Sequence, residues 1–264
     1  ATAAADAVIH TTDLDCGQVF AHLPEAMQRG LIDEREIDEE LARLLTIRFR
    51  LGMFDPEEND PYATLPYSVL ESPAHKAHAL RLAQESMVLL KNDGILPLQH
   101  NLTRIVVLGP NADNPEVQLG NYNGFPSEIV TPLEGIRAKT GAEVLYLQAS
   151  DYTEATCADG EIDRALEGAD LAIFVGGISP RLEGEEGDAG RNAPEGFAGG
   201  DRTSIRLPRA QTEVMRHIHE AGIPFVFVSM SGSALAFPWE AEHADAILQA
   251  WYGCLLYTSP SPRD

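Results

Sequence analysis

Glu183, Glu185, Glu186 and Asp188 crowd one glycine-rich stretch, Gly177-Ile-Ser-Pro-Arg-Leu-Glu-Gly-Glu-Glu-Gly-Asp188. Carboxylates this close repel one another, so some keep a proton to higher pH than an isolated acid, which suits general acid work. The same residues could form a solvated acidic loop or a loose calcium site, although the alternating ligand register of an EF-hand loop is missing. Arg181, Arg191 and Arg202 lie near enough in sequence to offset the charge, and Asp201-Arg202 reads as a structural ion pair. Asn121, Tyr122 and Asn123, within Gly120-Asn-Tyr-Asn-Gly124, are either turn residues or the amides and phenol that a sugar's hydroxyls need.

Other candidates carry less chemistry. Gly109-Pro-Asn-Ala-Asp113 follows a predicted strand but lacks both the G-x-G-x-x-G spacing and the P-loop lysine of a phosphate site. Ser229-Met-Ser-Gly-Ser233 is not a G-x-S-x-G nucleophile elbow. His217 and His219 are two apart on a predicted helix and face different sides, so they do not form a metal pair. His10, His22, His75 and His243 are scattered and read as satisfied or surface histidines.

The acidic and Asn-Tyr-Asn segments need elements to hold them. Short apolar runs at Ile105–Leu108, Val144–Leu147, Leu171–Val175, Phe225–Val228 and Ala246–Ala250 alternate with helical stretches at Leu133–Lys139, Ile162–Glu167 and Arg209–Ala221. Continuous apolar strands between helices predict a mainly parallel sheet covered on both faces, with ligand groups on loops at the carboxyl ends of the strands. Two such loops are long, Pro110 to Thr131 and Gly176 to Leu207. Loops beyond about 15 residues in a compact domain are uncommon and usually functional or disordered.

Upstream, residues 14–54 read as helical. Leu23, Ala26 and Met27 recur at helical spacing, Asp33-Glu-Arg-Glu36 resembles a capping box, and Ile37, Leu41, Leu44 and Leu45 share one face. Gly52 stands where a helix C-cap is expected, and the acidic run Asp33 to Glu40 reads as a solvated helix start rather than a metal cluster. Pro56, Pro61, Pro66 and Pro73 mark a linker, and a further helix is predicted from about His75 to Lys91.

The chain has 264 residues, 41 acidic against 19 basic, for a formal charge of −22. Such a surface repels nucleic acid and anionic membrane, and no apolar run approaches the roughly 20 residues that span a bilayer. Neutral ligands such as sugars stay open. The absence of Met and of a basic-then-apolar leader at Ala1 predicts a missing N-terminus, leaving cytoplasmic and periplasmic or secreted locations equally open. Cys254-Leu-Leu-Tyr-Thr-Ser-Pro-Ser-Pro-Arg-Asp264 resembles the in-frame translation of a sequencing adapter, so 254–264 is set aside. That leaves Cys16 and Cys157, which make no disulfide framework and no metal spacing.

Taken in order, several segments resemble glycoside hydrolase family 3. They are Thr12-Asp-Leu-Asp-Cys-Gly17, Arg48-Phe-Arg-Leu-Gly-Met-Phe54, Ser86-Met-Val-Leu-Leu-Lys-Asn92 with Leu96-Pro-Leu98, and Gly109-Pro-Asn-Ala112. Gly120-Asn-Tyr-Asn-Gly124, Thr131-Pro-Leu-Glu-Gly-Ile136 and Ile247-Leu-Gln-Ala-Trp-Tyr252 continue the match, which covers essentially all of 6–253. The blend is most similar to the β-xylosidase branch, which includes enzymes acting on α-L-arabinofuranosides; β-glucosidase and α-L-arabinofuranosidase are the alternatives.

The resemblance implies an α/β fold: a doubly wound, mainly parallel sheet in an α/β/α sandwich over 73–253, preceded by the C-terminal remnant of a (β/α)8 barrel at 1–54 and a linker at 55–72. It implies a retaining exo-glycosidase that takes an oligosaccharide or aryl glycoside and needs no cofactor or metal. The family's general acid/base is a glutamate in an S-G-E-G or E-x-E-G pattern, which places the role on Glu185, with Glu186 as the alternative because it stands where glycine is common. Asn121, Tyr122, Arg181 and Glu183 are the expected sugar contacts. The family's nucleophilic aspartate has no counterpart segment in this chain, so the fragment is expected to be inactive alone, and poorly soluble because Ile37, Leu41, Leu44 and Leu45 lack the barrel they would pack against. A non-catalytic sugar-binding or interaction module is the competing class, and a homo-oligomer is left open.

Overall fold

The computed structural model describes residues 1–12, 18–120, 123–183, 194–198 and 201–253. Two compact units divide between Val69 and Leu70.

The first unit carries helices α1 (Thr2–Ile9), α2 (Leu23–Gln28) and α3 (Glu34–Arg50). Asp33 caps α3 reciprocally: its carboxylate accepts from Glu36 N at 3.2 Å, while the Glu36 carboxylate accepts from Asp33 N at 2.8 Å. Acidic Glu34 and Glu36 in the first turn and basic Arg48 and Arg50 in the last complement the helix dipole. Gly52 follows the helix end with φ at 72°, the left-handed geometry expected of a cap. The buried apolar cluster is small, comprising Ala5, Ala26 and Ile32 with Ala1, Leu23 and Ile37 packed against it. Of the predicted apolar stripe, Leu44 and Leu45 are half-buried and Leu41 is exposed. Phe49 is also exposed and lies against Phe54, with ring centroids 4.5 Å apart.

The second unit opens with α4 (Pro73–Ser86), capped by Ser72 Oγ accepting from His75 N at 3.4 Å. The helix predicted to reach Lys91 stops five residues short, because Val88–Asn92 is strand β1. An unbroken apolar run such as Val88-Leu-Leu90 satisfies either period, and its partner decides. That partner is β8 (Ala246–Gln249), which pairs antiparallel with β1 and sets Val88 opposite Gln249.

The remaining elements follow as β2 (Arg104–Leu108), α5 (Pro132–Lys139), β3 (Glu143–Leu147), α6 (Asp159–Leu166), β4 (Leu171–Gly177) and α7 (Pro180–Glu183). A short antiparallel ribbon, β5 (Phe197–Ala198) with β6 (Asp201–Arg202), precedes α8 (Arg209–Glu220), β7 (Phe225–Met230) and α9 (Pro238–His243). Among the described residues one sheet has the order β1-β8-β7-β4-β2-β3, with β3, β2, β4, β7 and β8 mutually parallel.

Alternation along the strands sends side chains to two separate cores. Val106, Leu108, Phe174, Phe225 and Phe227 pack on one face with Ile162 and Leu166 of α6 and Val214, Met215 and Ile218 of α8. Ile105, Val107, Ile173, Val175 and Val226 pack on the other with Leu133 of α5. Each buried aliphatic or aromatic side chain is worth about 1.5–3 kcal/mol against exposure, so these two layers supply most of the stabilisation. The unit is thus an α/β/α sandwich. Chain direction reverses at β2: β2 passes through α5 to β3 on one side, and α6 on the opposite face returns the chain to β4 on the other. Right-handed crossovers require this change of face, and a crevice opens between the loops after β2 and β4.

Asp170, just before β4, ties the two strands at their amino ends. Its carboxylate accepts from Thr103 N at 2.6 Å, Thr103 Oγ1 at 2.7 Å and Arg104 N at 2.9 Å. These bonds, the Thr103 hydroxyl foremost, hold its pKa below the ordinary 3.8. A carboxyl with a depressed folded pKa stabilises the protein above its unfolded pKa, and that contribution disappears as pH falls through the folded value. Asp170→Asn is therefore expected to destabilise at about pH 6, with the gap to the parent narrowing towards about pH 2. Urea unfolding midpoints across that range check it; a gap independent of pH would refute the assignment.

Candidate active site

The crevice at the β2/β4 switch is built from backbone turns and buried amides. Gly109 follows β2 with φ at 102°, and a Cβ there would lie 2.3 Å from Val175 O. Gly177 ends β4 with φ at 119°, and its Cβ would lie 2.1 Å from Met230 O. Only glycine allows these strand ends to turn while still touching their neighbours.

Asn111, fully buried, closes the seam between the two loops. Its Nδ2 donates to Gly176 O at 3.3 Å and Ile178 O at 3.2 Å, and its Oδ1 accepts from the Tyr152 hydroxyl at 2.7 Å. Tyr152 in turn accepts from Asn114 Nδ2 at 3.3 Å. Burial raises the Tyr152 pKa, partly offset by hydrogen bonds from Ser179 and Asn114, so the phenol stays a neutral donor. From the opposite side of β4, buried Gln211 on α8 brackets one peptide: its Oε1 accepts from Gly177 N and its Nε2 donates to Gly177 O, both at 2.8 Å. The same Nε2 donates to Tyr152 O at 2.9 Å. Buried amides left unpaired would each cost about 1–3 kcal/mol, so this lattice holds the β4 exit to one path.

A cavity of about 480 Å³ opens above the lattice, lined among others by Asn114, Glu116, Gly120, Asn123, Tyr152 and Arg181. It joins the two segments singled out from sequence, since Gly120 and Asn123 flank the Asn-Tyr pair and Arg181 begins the acidic run. Asn121, Tyr122, Glu185 and Glu186 themselves lie outside the described residues. Arg181 lines the cavity while its Nη2 pairs with Glu116 at 2.9 Å; both side chains are well exposed, so the pair is worth about 0–1 kcal/mol and can open for a ligand.

Glu183 is held from another strand. Its carboxylate is received by the turn after β7: Oε1 accepts from Gly232 N at 3.0 Å, Ser233 N at 2.7 Å and Ser233 Oγ at 2.6 Å. The Tyr252 phenol lies beside it, its pKa raised first by burial and then by the Glu183 carboxylate. Arg202, expected to ion-pair with Asp201, directs its guanidinium to carbonyls instead. Nε donates to Ser204 O at 3.1 Å, Nη1 to Ala234 O at 3.2 Å and Nη2 to Arg206 O at 3.1 Å, pinning the strand that returns from the acidic loop.

Sequence reading passed over Asn111, Tyr152, Gln211, Ser233 and Tyr252. Asn111 had a signal, a short amide three residues past an apolar strand. Ser233 and Tyr252 lie in segments quoted above but with no local signal for these roles, and Tyr152 and Gln211 carry no signal, because the partners of all four are distant in the chain. Among the described residues, no group of three or more His, Cys, Asp or Glu side chains is placed to hold a metal ion, and no helix is long and apolar enough to cross a membrane.

Residues 87–254 match the family described as "Glycosyl hydrolase family 3 C-terminal domain". The chain is 28% identical to the "Xylan 1,4-beta-xylosidase" of Xylanibacter ruminicola, covering 93% of this chain and 45% of that protein. It is 34% identical to the "Probable exo-1,4-beta-xylosidase" of Neosartorya fischeri, covering 96% of this chain and 31% of that protein. Among solved structures, a GH3 exo-β-xylosidase in complex with a xylobiose aziridine activity-based probe aligns with a TM-score of 0.73 at 29% identity, over 95% of this chain and 31% of that one. The β-glucosidase of Listeria innocua in complex with isofagomine aligns with a TM-score of 0.66 at 25% identity, over 96% and 34%. The chain thus spans less than half the length of these relatives.

Proposed function

Because the chain belongs to glycosyl hydrolase family 3, we propose that the full-length protein is a retaining, exo-acting β-D-xylosidase, with Glu185 as general acid/base and Glu186 as the alternative. The carrying observation is that the acidic segment leaves β4 through Ser179, Pro180 and Arg181, which line a cavity at the switch between two diverging loops. A retaining glycosidase needs two carboxyl groups about 5–5.5 Å apart, one attacking the anomeric carbon and one protonating the departing oxygen. On this reading the sandwich domain supplies the proton donor, which then deprotonates the water that releases the sugar. The nucleophile is assigned to no residue of this chain, and residues 1–54 are read as the end of the barrel domain that would carry it.

Asn121 and Tyr122 offer amide and phenol contacts to sugar hydroxyls, and Arg181 a cation that can leave Glu116 for one. Xylosidase relatives favour xylose, whereas the likeness to the Listeria innocua β-glucosidase supports a second reading as a β-glucosidase. A hexose differs from a pentose by one hydroxymethyl group, which a fitted pocket discriminates by about 10–200-fold. Rates of the full-length protein on 4-nitrophenyl β-D-xylopyranoside and glucopyranoside are therefore expected to favour the xyloside by at least about tenfold. Preference for the glucoside would select the second reading, and inactivity on both would reject both readings.

A further inference from the structure

We propose that Glu183 is a positioning residue that anchors the acid/base loop to the turn after β7, rather than a sugar contact. The inference rests on the reading of Glu185 as acid/base. The turn is built for a carboxylate: two backbone N–H groups and a hydroxyl converge on Oε1 at 2.6–3.0 Å, and Gly232 N also reaches Oε2 at 3.3 Å. Hydrogen bonds to an ionised acceptor are roughly twice as strong as neutral ones. The approach depends on glycine at 232, where a Cβ would meet Glu183 Oε2 at 3.0 Å and Tyr252 Cε2 at 3.2 Å. Three donors fill the acceptor capacity of Oε1, so that oxygen has no lone pair left for a sugar hydroxyl.

The anchor bridges strands on either side of one seam. β4 and β7 are paired neighbours in the sheet, with Gly177 opposite Met230, and the clasp ties the segment leaving β4 to the segment leaving β7 just beyond that pair. Glu185 follows Glu183 by two residues, so its Cα stays within about 7 Å of the anchored Cα whatever path the loop takes. General acid catalysis is steep in distance, and a misplacement of about 1 Å can cost about 100-fold. An anchor two residues from the proton donor therefore sets its reach without touching the substrate.

The test separates positioning from sugar contact through the leaving group, in the full-length protein. A 2,4-dinitrophenyl xyloside departs without a proton, whereas xylobiose requires one. Glu183→Gln, which removes the negative charge and replaces Oε2 with an amide nitrogen that cannot accept from Gly232 N, is expected to lower kcat/KM on xylobiose by about 10–100-fold and on the dinitrophenyl xyloside by less than about threefold. Azide, which needs no general base, is expected to raise kcat of the variant on the dinitrophenyl substrate. Ser233→Ala removes only the hydroxyl donor and is expected to show the same pattern more weakly, and Ser233→Thr, keeping the hydroxyl, to restore the parent's leaving-group dependence. If Glu183→Gln does not fold, the two Ser233 variants decide. Equal losses on both substrates with a raised KM, or unchanged rates, would overturn the anchor. Glu185→Gln run alongside keeps the two levels apart: if it leaves xylobiose turnover unchanged, the acid/base reading fails, and if it abolishes turnover while the Glu183 and Ser233 variants lose both substrates equally, only the anchor fails.

Discussion

Glu185→Gln in the full-length protein is expected to lower kcat/KM on xylobiose by about 10²–10⁴-fold, the range typical of a lost general acid. The effect should depend on the leaving group, because an aryl oxygen of low pKa departs without help while a sugar hydroxyl does not. With a dinitrophenyl xyloside, kcat/KM, which reports glycosylation, should change little. Turnover should still fall, since the second step has lost the base that deprotonates water. A small anion such as azide bypasses that base and should restore turnover while forming a glycosyl azide that retains the β configuration. Product configuration by NMR and the two rate constants check each part. If Glu186→Gln shows this pattern and Glu185→Gln does not, the alternative glutamate holds the role.

Gly177→Ala is expected to destabilise the sandwich domain by about 2–6 kcal/mol, combining a strained backbone with a core collision. The position has φ at 119°, and the added Cβ would stand 2.1 Å from Met230 O on the paired strand. That oxygen cannot move aside, because β4 and β7 are joined along Ala172–Gly177 and buried on both faces. Against a total stability of about 5–15 kcal/mol, such a loss leaves a large unfolded fraction at physiological temperature. Gly135→Ala supplies the contrast. It lies within α5, with no atom within 4 Å of the added Cβ, so about 0.5–1 kcal/mol of stabilisation is expected from reduced chain entropy. Urea unfolding followed by circular dichroism measures both, and comparable midpoints for the two variants would refute the steric argument.

Much of this architecture is written in local pattern. The five parallel strands and the helices α5, α6 and α8 follow from continuous apolar runs separated by helical periods. The Asp33 capping box follows from Asp three residues ahead of Glu36. The two long loops were located by their length alone, and both emerge at the switch between β2 and β4. Strand β1 was not legible, because Val88-Leu-Leu90 continues a helical pattern until β8 offers it an edge. Arg202 was misread as an ion pair because its true acceptors, Ser204 O, Arg206 O and Ala234 O, become neighbours only after the loop has returned to the sheet.

Sequence alone determined the alternating α/β order, the caps, the glycine-rich turns and the acidic loop, since each depends on interactions within about one helical turn or one strand of chain. Tertiary structure alone decided that Glu183 meets Ser233, that Asn111 reaches Tyr152, and that Gln211 brackets Gly177. Those meetings depend on which strands lie side by side, and strand order is settled by burying two apolar faces at once rather than by any stretch of residues acting on its own.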